Sequence, residues 1–268
     1  MHVRPALPTL PARPLLIGMV HLRSLRGPST ELDAVERAAL VDAERLLAAG
    51  IPALALENFG DTPFTPGAVS PFTIAAMSRM ALAVRRLAGP DVPLVINVLR
   101  NDAHAALAIA AAVGAAAVRV NVHAGAAVTD QGLIEGRAHE TVPLRDTLAP
   151  SVRIWADVRV KHAAPLVARP VAEEAEELHL RARADALIVS GARTGGATDP
   201  ARAREVREAV SAPVLIGSGA TPDTLSALAA VADGFIVGSW LKEGGRVEAP
   251  VDPARAADMV AAVATLPT

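Results

Sequence analysis

The chain has 268 residues, of which 51% are hydrophobic and 20% charged, with no cysteine and a formal net charge of -2. The hydrophobic share excludes a disordered chain, and the lack of cysteine excludes disulfides, thiolate metal sites and a cysteine nucleophile. The near-neutral charge balance argues against nucleic acid as a macromolecular partner, because such proteins carry a basic stripe.

No segment of the sequence predicts an integral membrane span. The longest apolar run, from Ala105 to Val118, is broken by Gly114 and is shorter than the ~20 residues that a spanning helix needs. The proline-rich N-terminal stretch has no apolar core of signal-peptide length. The sequence therefore predicts a cytoplasmic protein, and it leaves a homo-oligomer open.

Eight near-continuous runs of Val, Ile, Leu and Ala recur along the chain. Runs of this kind are typical of parallel strands that are covered on both faces. The predicted strands lie near residues 14–22, 51–59, 92–100, 116–124, 153–163, 184–192, 212–220 and 232–240.

Helical patterns separate these strands and begin at recognisable capping residues. Ser70, Asp199, Thr221 and Asp252 each precede a proline, which is favoured at the first helical position. Thr30 with Asp33 predicts a capping box before the first helix. The alternation predicts an α/β fold, a (β/α)8 TIM barrel forming a single domain over residues 1–268. An open doubly wound sheet is the alternative, since it does not require eight units.

One connection, residues 125–150, is longer than the others. Long connections in compact domains are often binding loops or lids. A tolerated insertion is the other interpretation.

Rare polar residues gather at the predicted carboxyl ends of the strands, where barrels of this kind hold their active sites. The four asparagines, the single glutamine and both lysines of the chain all fall there. Helix capping explains some of them, but polar groups inside apolar runs are costly to bury unless they are paired. The predicted substrate-binding residues are Glu57, Asn58, Asn97, Asn101, Arg119, Asn121, Asp130 and Thr194.

Two glycine-containing segments follow the last two predicted strands. They are GSGATPDT from Gly217 and VGSWLK from Val237, in the two loops that commonly bind phosphate in these barrels together with a helix N-terminus. The segment ARTGG from Ala192 is a candidate third wall, and glycines that only permit tight turns are the alternative. The predicted phosphate-binding residues are Gly217, Ser218, Gly219, Gly238 and Ser239.

The fifth predicted strand carries the densest cluster of charges. Asp157, Arg159 and Lys161 alternate, so they are expected to share one face of the strand. A cationic neighbour would lower the pKa of Lys161, as in imine-forming or proton-transferring lysines. The alternative is a structural ion-pair network in which Lys161 only contacts an anionic ligand. The predicted catalytic residues are Asp157, Lys161 and His123, the last as an acid–base group.

A divalent cation such as Mg²⁺ is left open, although no metal-binding motif of fixed spacing occurs. Oxygen and nitrogen ligands are available at the strand ends, but acidic residues are common there in barrels of this class. The candidate ligands are Glu57, Asp102, Asp130 and Asp157 with His21 or His123.

Six strings of the sequence together resemble the BtpA family, also called the BtpA/SgcQ family. They are ENFGDTPF, NVLRNDAHAALAIA, RVNVHAGAAVTDQGLIEG, ADVRVKHAAPL, ADALIVSGARTGG and VLIGSGAT, and the resemblance runs from about Ile17 to Val263. Ala124 and Ser190 depart from it, since threonine is expected at both positions. The resemblance implies a TIM barrel of the phosphate-binding type, and it implies no particular reaction.

Two functions follow from these observations. The first is an enzyme that acts on a small phosphorylated metabolite, a sugar phosphate or a nucleotide-derived compound, as a lyase, isomerase or hydrolase. The alternative is a non-catalytic, metabolite-binding assembly or regulatory factor. That second role is of the photosystem I biogenesis type, after the factor from which the family takes its name, and the resemblance alone does not transfer it to this chain.

Overall fold

The computed structural model describes residues 14–191 and 194–266. Its strands, in chain order, are β1 (Leu15–His21), β2 (Ala53–Glu57), β3 (Leu94–Asn97), β4 (Ala117–Val120), β5 (Ala126–Thr129), β6 (Gly132–Glu135), β7 (Arg153–Val158), β8 (Ala163–Pro165), β9 (Ala186–Val189), β10 (Val214–Ile216) and β11 (Gly234–Val237).

Eight α-helices lie in the described part of the chain. They are α1 (Leu32–Ala48), α2 (Pro71–Ala88), α3 (Ala103–Val113), α4 (Ala138–Leu148), α5 (Val171–Glu176), α6 (Pro200–Ala209), α7 (Pro222–Ala229) and α8 (Pro253–Ala264). None of the described helices is both long enough and apolar enough to cross a membrane.

Eight of the strands close into a parallel barrel in the order β1-β11-β10-β9-β7-β4-β3-β2. The ring closes because β1 pairs with β2 on one side and with β11 on the other, with Leu15 opposite Gly234. This closure confirms the predicted (β/α)8 barrel, and the open doubly wound alternative is wrong.

Two apolar layers explain why the strands read as continuous hydrophobic runs. Successive side chains of a strand point to opposite faces, so Ile17 and Met19 fill the barrel interior with Trp155. Leu16 and Val20 of the same strand pack in the layer between barrel and helices. Both faces of these strands are therefore packed against apolar side chains, as the hydrophobic composition of the runs predicts.

Most of the predicted helix starts are present. The Ser70 hydroxyl accepts a hydrogen bond from the Thr73 N–H at the start of α2, and the Asp252 carboxylate caps α8. The capping box at Thr30 and Asp33 is wrong. A 3-10 turn over Ser29–Glu31 leads directly into α1. The residue at the N-cap of α1 is Glu31, and no side chain caps the first turn.

The long connection over residues 125–150 contains structure of its own. Strands β5 and β6 form a hairpin, and β8 pairs with β5 to give an antiparallel sheet in the order β6-β5-β8. On the outer face Val128 lies opposite Leu133 and Ala164. This small sheet stands beside the carboxyl end of the barrel and was not predicted from the sequence.

Candidate functional site

A pocket of about 530 Å³ opens at the carboxyl ends of the barrel strands. It has a wall of glycine and small side chains and a floor of charged side chains. Its lining residues are Met19, His21, Glu57, Arg119, Lys161, Thr194–Gly196, Gly217–Thr221, Ile236–Trp240, Gly245, Val247 and Arg255.

The wall is built from the loops after β10 and β11, as predicted. All five predicted phosphate-binding residues line the pocket. Glycine is required at two of them for steric reasons. A Cβ at Gly219, where φ is 71°, would meet the Gly196 carbonyl oxygen, and one at Gly238 would lie 2.7 Å from His21 Cε1.

Backbone N–H groups at this wall are suited to an anion. A 3-10 turn over Ser239–Leu241 starts at the pocket, and the first N–H groups of any helix have no partner within the helix. Helix α7 begins three residues after Gly219 and is capped by Thr221. Helix N-termini with free N–H groups bind phosphate through those donors and the helix dipole.

The Ser218 side chain is engaged within the protein, and the predicted phosphate binding by this residue stays a prediction for its backbone. Its Oγ accepts a hydrogen bond from the Gly191 N–H at 2.8 Å, and its carbonyl oxygen accepts one from Thr198 Oγ1 at 2.8 Å. The Ser218 side chain therefore holds the loops after β9 and β10 together. Its contribution to the wall is its backbone.

Arg255 is a pocket residue that sequence reasoning missed. Its guanidinium carbon lies 4.8 Å from the centre of the Trp240 ring, and its Nε donates to the Trp240 carbonyl oxygen at 2.6 Å. This contact fixes a cation at the rim of the glycine wall. In a chain whose basic residues are nearly all arginine, no sequence signal separates Arg255 from the others.

The floor brings together His21, Glu57, Lys161 and Arg119. His21 Nε2 lies 4.0 Å from Glu57 Oε1, and the side chains are only 9% and 5% exposed. Burial lowers the pKa of His21 well below its usual value, and the nearby charges of Lys242, Lys161 and Arg119 lower it further. His21 is therefore a neutral imidazole at neutral pH.

Lys161 is half-buried and faces the same space. Burial lowers its pKa first, and the charge of Arg119 adds to that effect, while Glu57 and Asp157 oppose it. Its neutral amine form is thus populated more than that of an exposed lysine.

Asp157 is fully occupied by hydrogen bonds. It accepts two from Arg119, at 2.8 and 2.7 Å, one from Asn121 at 2.9 Å and one from Ser190 at 3.3 Å. Asp157 and Asn121 line a separate cavity of about 270 Å³ beneath β5 and β8. Asp157 therefore orients Arg119, and the geometry does not support its predicted role as a catalytic group in the main pocket.

The remaining asparagines mostly connect backbone segments. Asn58 accepts from the Leu99 N–H at 2.7 Å, and Asn101 makes two bonds of 2.8 Å to the backbone of Val122. Asn97 donates to the Arg119 carbonyl oxygen at 3.1 Å and to Asn121 Oδ1 at 3.3 Å. None of these four asparagines lines the main pocket, so their predicted role in substrate binding stays a prediction.

Three other predicted residues are spread around the mouth. His123 Nε2 donates to the Ala182 carbonyl oxygen at 2.9 Å, outside the main pocket. Asp130 is exposed at the β5–β6 turn, where Gln131 donates to it. Thr194 lines the pocket and bonds to His162 Nε2 at 3.0 Å. The predicted third wall includes Ala192 and Arg193, which lie outside the described residues.

Asp157, Arg159 and Lys161 do not share one face of the fifth barrel strand, because the strand ends before Arg159. Strand β7 stops at Val158, and Arg159 adopts a left-handed conformation with φ of 57°. Its guanidinium turns away to bond Glu174 Oε1 at 2.7 Å. The pairing of Lys161 with Arg159 is therefore wrong, and Arg119 is the cation that contributes to its lowered pKa.

The candidate metal ligands do not converge. In residues 14–191 and 194–266, no three His, Asp or Glu side chains lie close enough together to hold a metal ion. Asp102 caps α3 through the Ala105 N–H at 2.9 Å, and Asp157 is paired with Arg119. A divalent cation such as Mg²⁺ thus stays a prediction, and it would need ligands from a bound substrate.

Acid is expected to destabilise the fold through its buried histidines. Burial lowers the pKa of both His21 and His123. Below about pH 6.5 these histidines therefore bind more protons in the unfolded chain than in the folded chain. Stability then rises with pH across that range. Between about pH 5 and pH 7, a His123→Gln variant should show a smaller gain in the free energy of unfolding by urea than the parent. Exposed His139→Gln is the control, and equal gains in parent and His123→Gln would contradict the argument.

A closed ring of eight parallel strands, with a polar pocket at their carboxyl ends, defines a (β/α)8 barrel protein of the class whose ligands bind in that mouth. The chain belongs to the BtpA family, whose sequence profile matches residues 12–265.

Two relatives cover most of the chain. An uncharacterized protein of Thermococcus kodakarensis is 44% identical over 252 residues, which are 91% of this chain and 93% of the relative. The photosystem I biogenesis protein BtpA of Synechocystis is 43% identical over 257 residues, covering 93% and 88% of the two chains.

Solved structures similar to this one are also barrels. Phosphoribosyl anthranilate isomerase from Thermus thermophilus matches with a TM-score of 0.59 and 18% identity, covering 94% of this chain and 98% of the other. Thiamine phosphate pyrophosphorylase from Pyrococcus furiosus matches with a TM-score of 0.58 and 17% identity, covering 93% and 95%. At these identities the similarity shows the fold alone.

Proposed function

We propose that the protein is an enzyme acting on a small phosphorylated metabolite, a sugar phosphate or a nucleotide-derived compound. One observation carries the proposal. A wall of glycine-containing loops next to helix starts and a floor with titratable side chains share one pocket of about 530 Å³, which has the size of a small-molecule site.

The two halves of the pocket suit the two ends of such a ligand. The phosphate would accept hydrogen bonds from the backbone N–H groups of Ser218–Gly219 and Gly238–Ser239, with Arg255 supplying positive charge at the rim. Gly217 would shape the wall without donating, because its N–H bonds the Val189 carbonyl oxygen at 2.9 Å. The other end would then reach His21, Glu57 and Lys161 on the floor. A neutral imidazole beside a carboxylate is able to move a proton at neutral pH.

The named activities of proteins with the same fold support this assignment in a general way. Two of them, quoted above, are named for thiamine phosphate and for phosphoribosyl anthranilate. Their similarity does not identify the substrate of this chain, and lyase, isomerase and hydrolase chemistry all remain compatible with the floor.

Phosphorylated ligands are expected to stabilise the protein against heat. Inorganic phosphate, ribose 5-phosphate and AMP are the probes, and a ligand at a hundred times its dissociation constant adds about 2.7 kcal/mol to the free energy of unfolding. A Ser239→Asp variant should lose this stabilisation, because a carboxylate at the wall repels the phosphate.

The matched control is Ser151→Asp. Ser151 is exposed just before β7, at the opposite end of the barrel, so the variant carries the same charge change away from the pocket. Stabilisation by none of the three probes would contradict the proposal. Stabilisation that survives Ser239→Asp would remove the phosphate from this wall.

A non-catalytic assembly factor is the second candidate. It is favoured by the exposed apolar side chains of the small sheet, with Val128 49% and Leu133 52% exposed, and by the name of the Synechocystis relative. A partner protein that still binds Lys161→Ala and Asn121→Ala variants, but not Leu133→Lys, would support it over the enzyme.

A further inference from the structure

We infer that Lys161 is a nucleophile that forms an imine with a carbonyl group of the ligand, so that the substrate is a phosphorylated aldehyde or ketone. This inference deepens the proposed function and depends on the same pocket. It is carried by the contrast between the two lysines, by the backbone that holds Lys161, and by the groups around its amine.

The two lysines of the chain are in opposite situations. Lys242 is 1% exposed, and its Nζ lies 2.5 Å from Asp42 Oδ2 in a buried ion pair. Within the described residues, Lys161 Nζ has no hydrogen-bond or ion-pair partner, and it faces the pocket. Of 26 basic residues only these two are lysine. Arginine does not deprotonate in proteins, whereas a lysine amine does.

The backbone around Lys161 is held on both sides. Arg159 and His162 have φ values of 57° and 56°, a left-handed conformation that residues other than glycine seldom adopt. Glu174 anchors the Arg159 side chain and Thr194 anchors His162. Strained backbone fixed by its surroundings is a feature of functional sites.

A third contact fixes Lys161 itself. Its carbonyl oxygen accepts a hydrogen bond of 2.6 Å from Arg100. The Lys161 backbone is thus fixed at the edge of the pocket, as a reacting group requires.

The surroundings favour the neutral amine over the ammonium. Burial and the charge of Arg119 lower the pKa of Lys161, and a desolvated lysine next to another cation is an activated nucleophile. Each unit by which the pKa falls raises the neutral fraction at neutral pH about tenfold.

The step balances without any further reactant. The Nζ lone pair attacks the carbonyl carbon and forms a C–N bond, while the C=O π electrons move to oxygen, which takes up a proton. The nitrogen gives up its two protons in turn, the oxygen has then taken up two in all, and one water leaves as the neutral C=N bond forms. His21 and Glu57 line the same floor and are placed to carry these protons.

Pyridoxal 5′-phosphate is a suitable probe because it carries both an aldehyde and a phosphate. The protein is incubated with it at several pH values, reduced with borohydride and mapped by peptide mass spectrometry. We expect the Lys161 peptide to gain the mass of the probe less one oxygen atom at neutral pH. Labelling should reach half its maximum well below the usual lysine pKa of about 10.4.

Comparison with Lys161→Arg and competition by inorganic phosphate complete the test. Lys161→Arg should lose most of the fixed label, and phosphate should slow labelling of the parent. Labelling of Lys161 only near its usual pKa, or full label on Lys161→Arg, would overturn the imine, and peptide mapping of the parent gives this answer even if the variant does not fold. Thermal stabilisation by phosphate without labelling would leave the proposed function standing and refute the nucleophile. Labelling of Lys161 that phosphate does not slow would leave the nucleophile standing and refute phosphate binding in this pocket.

Discussion

Replacing Lys242 with methionine is expected to lower the free energy of unfolding by about 3–5 kcal/mol, because it leaves a buried carboxylate without its partner. Lys242 Nζ lies 2.5 Å from Asp42 Oδ2, and Asp42 Oδ1 accepts a hydrogen bond from the Val251 N–H at 2.7 Å. The pair ties α1 to the segment that follows β11. Urea denaturation measures the loss.

Two further variants make this prediction specific. The double change Asp42→Leu with Lys242→Met should recover much of the stability, since it removes both charges together. Arg169→Met breaks exposed ion pairs with Glu173 and Glu177 and should lower the stability far less, because solvent screens exposed pairs. Equal losses of unfolding free energy for Lys242→Met and Arg169→Met would show that the buried pair stabilises the fold no more than an exposed pair.

An Asp157→Asn variant is expected to have two effects. The first is a loss of about 3–5 kcal/mol in unfolding free energy, because the buried Arg119 guanidinium keeps its charge and loses its counter-charge. The second is a further decrease in the pKa of Lys161, since the Asp157 charge opposes that decrease in the parent. Urea denaturation measures the first effect, and the pH dependence of amine labelling measures the second.

The control for this variant is Asp130→Asn. Asp130 is exposed at the β5–β6 turn, and surface changes of this kind stay within about 0.5 kcal/mol. An Asp157→Asn protein as stable as the parent would mean that solvent or another group already balances Arg119. An unchanged pH dependence of Lys161 labelling would mean that the charge of Asp157 does not affect the pKa of its amine.

The barrel could be predicted from the sequence because its signal is repeated. A parallel strand covered on both faces must be apolar throughout, so each one is visible as a run, and eight runs separated by capped helices specify a ring. The observed strands are shorter than the runs, as with β4, which ends at Val120 within the predicted 116–124. The runs continue because residues past the last ladder bond are still buried.

The small sheet could not be predicted in the same way. Strand β5 is only four residues long and β8 only three, and three of the outward residues are apolar. Without the alternation of a half-buried strand, such segments look like ordinary loop.

The candidate site was predicted in part, for a physical reason. Residue type and chain position locate a side chain at the mouth, but its hydrogen-bond partners decide whether it faces a ligand. Asn58 and Asp157 are at the predicted place, yet their polar atoms are occupied by Leu99 and Arg119. Arg255 escapes detection because it enters the pocket from a helix and not from a strand end.

The pocket lies across the seam where the barrel closes. Met19 and His21 belong to the first strand and Ile236 and Val237 to the last, and all four line it. A ligand bound there would contact both the first and the last strand, which are otherwise joined at this seam by the β1–β11 ladder and by the buried pair of Lys242 with Asp42. Ligand binding would therefore add to the stability of the closed ring, by an amount that grows with the ligand concentration.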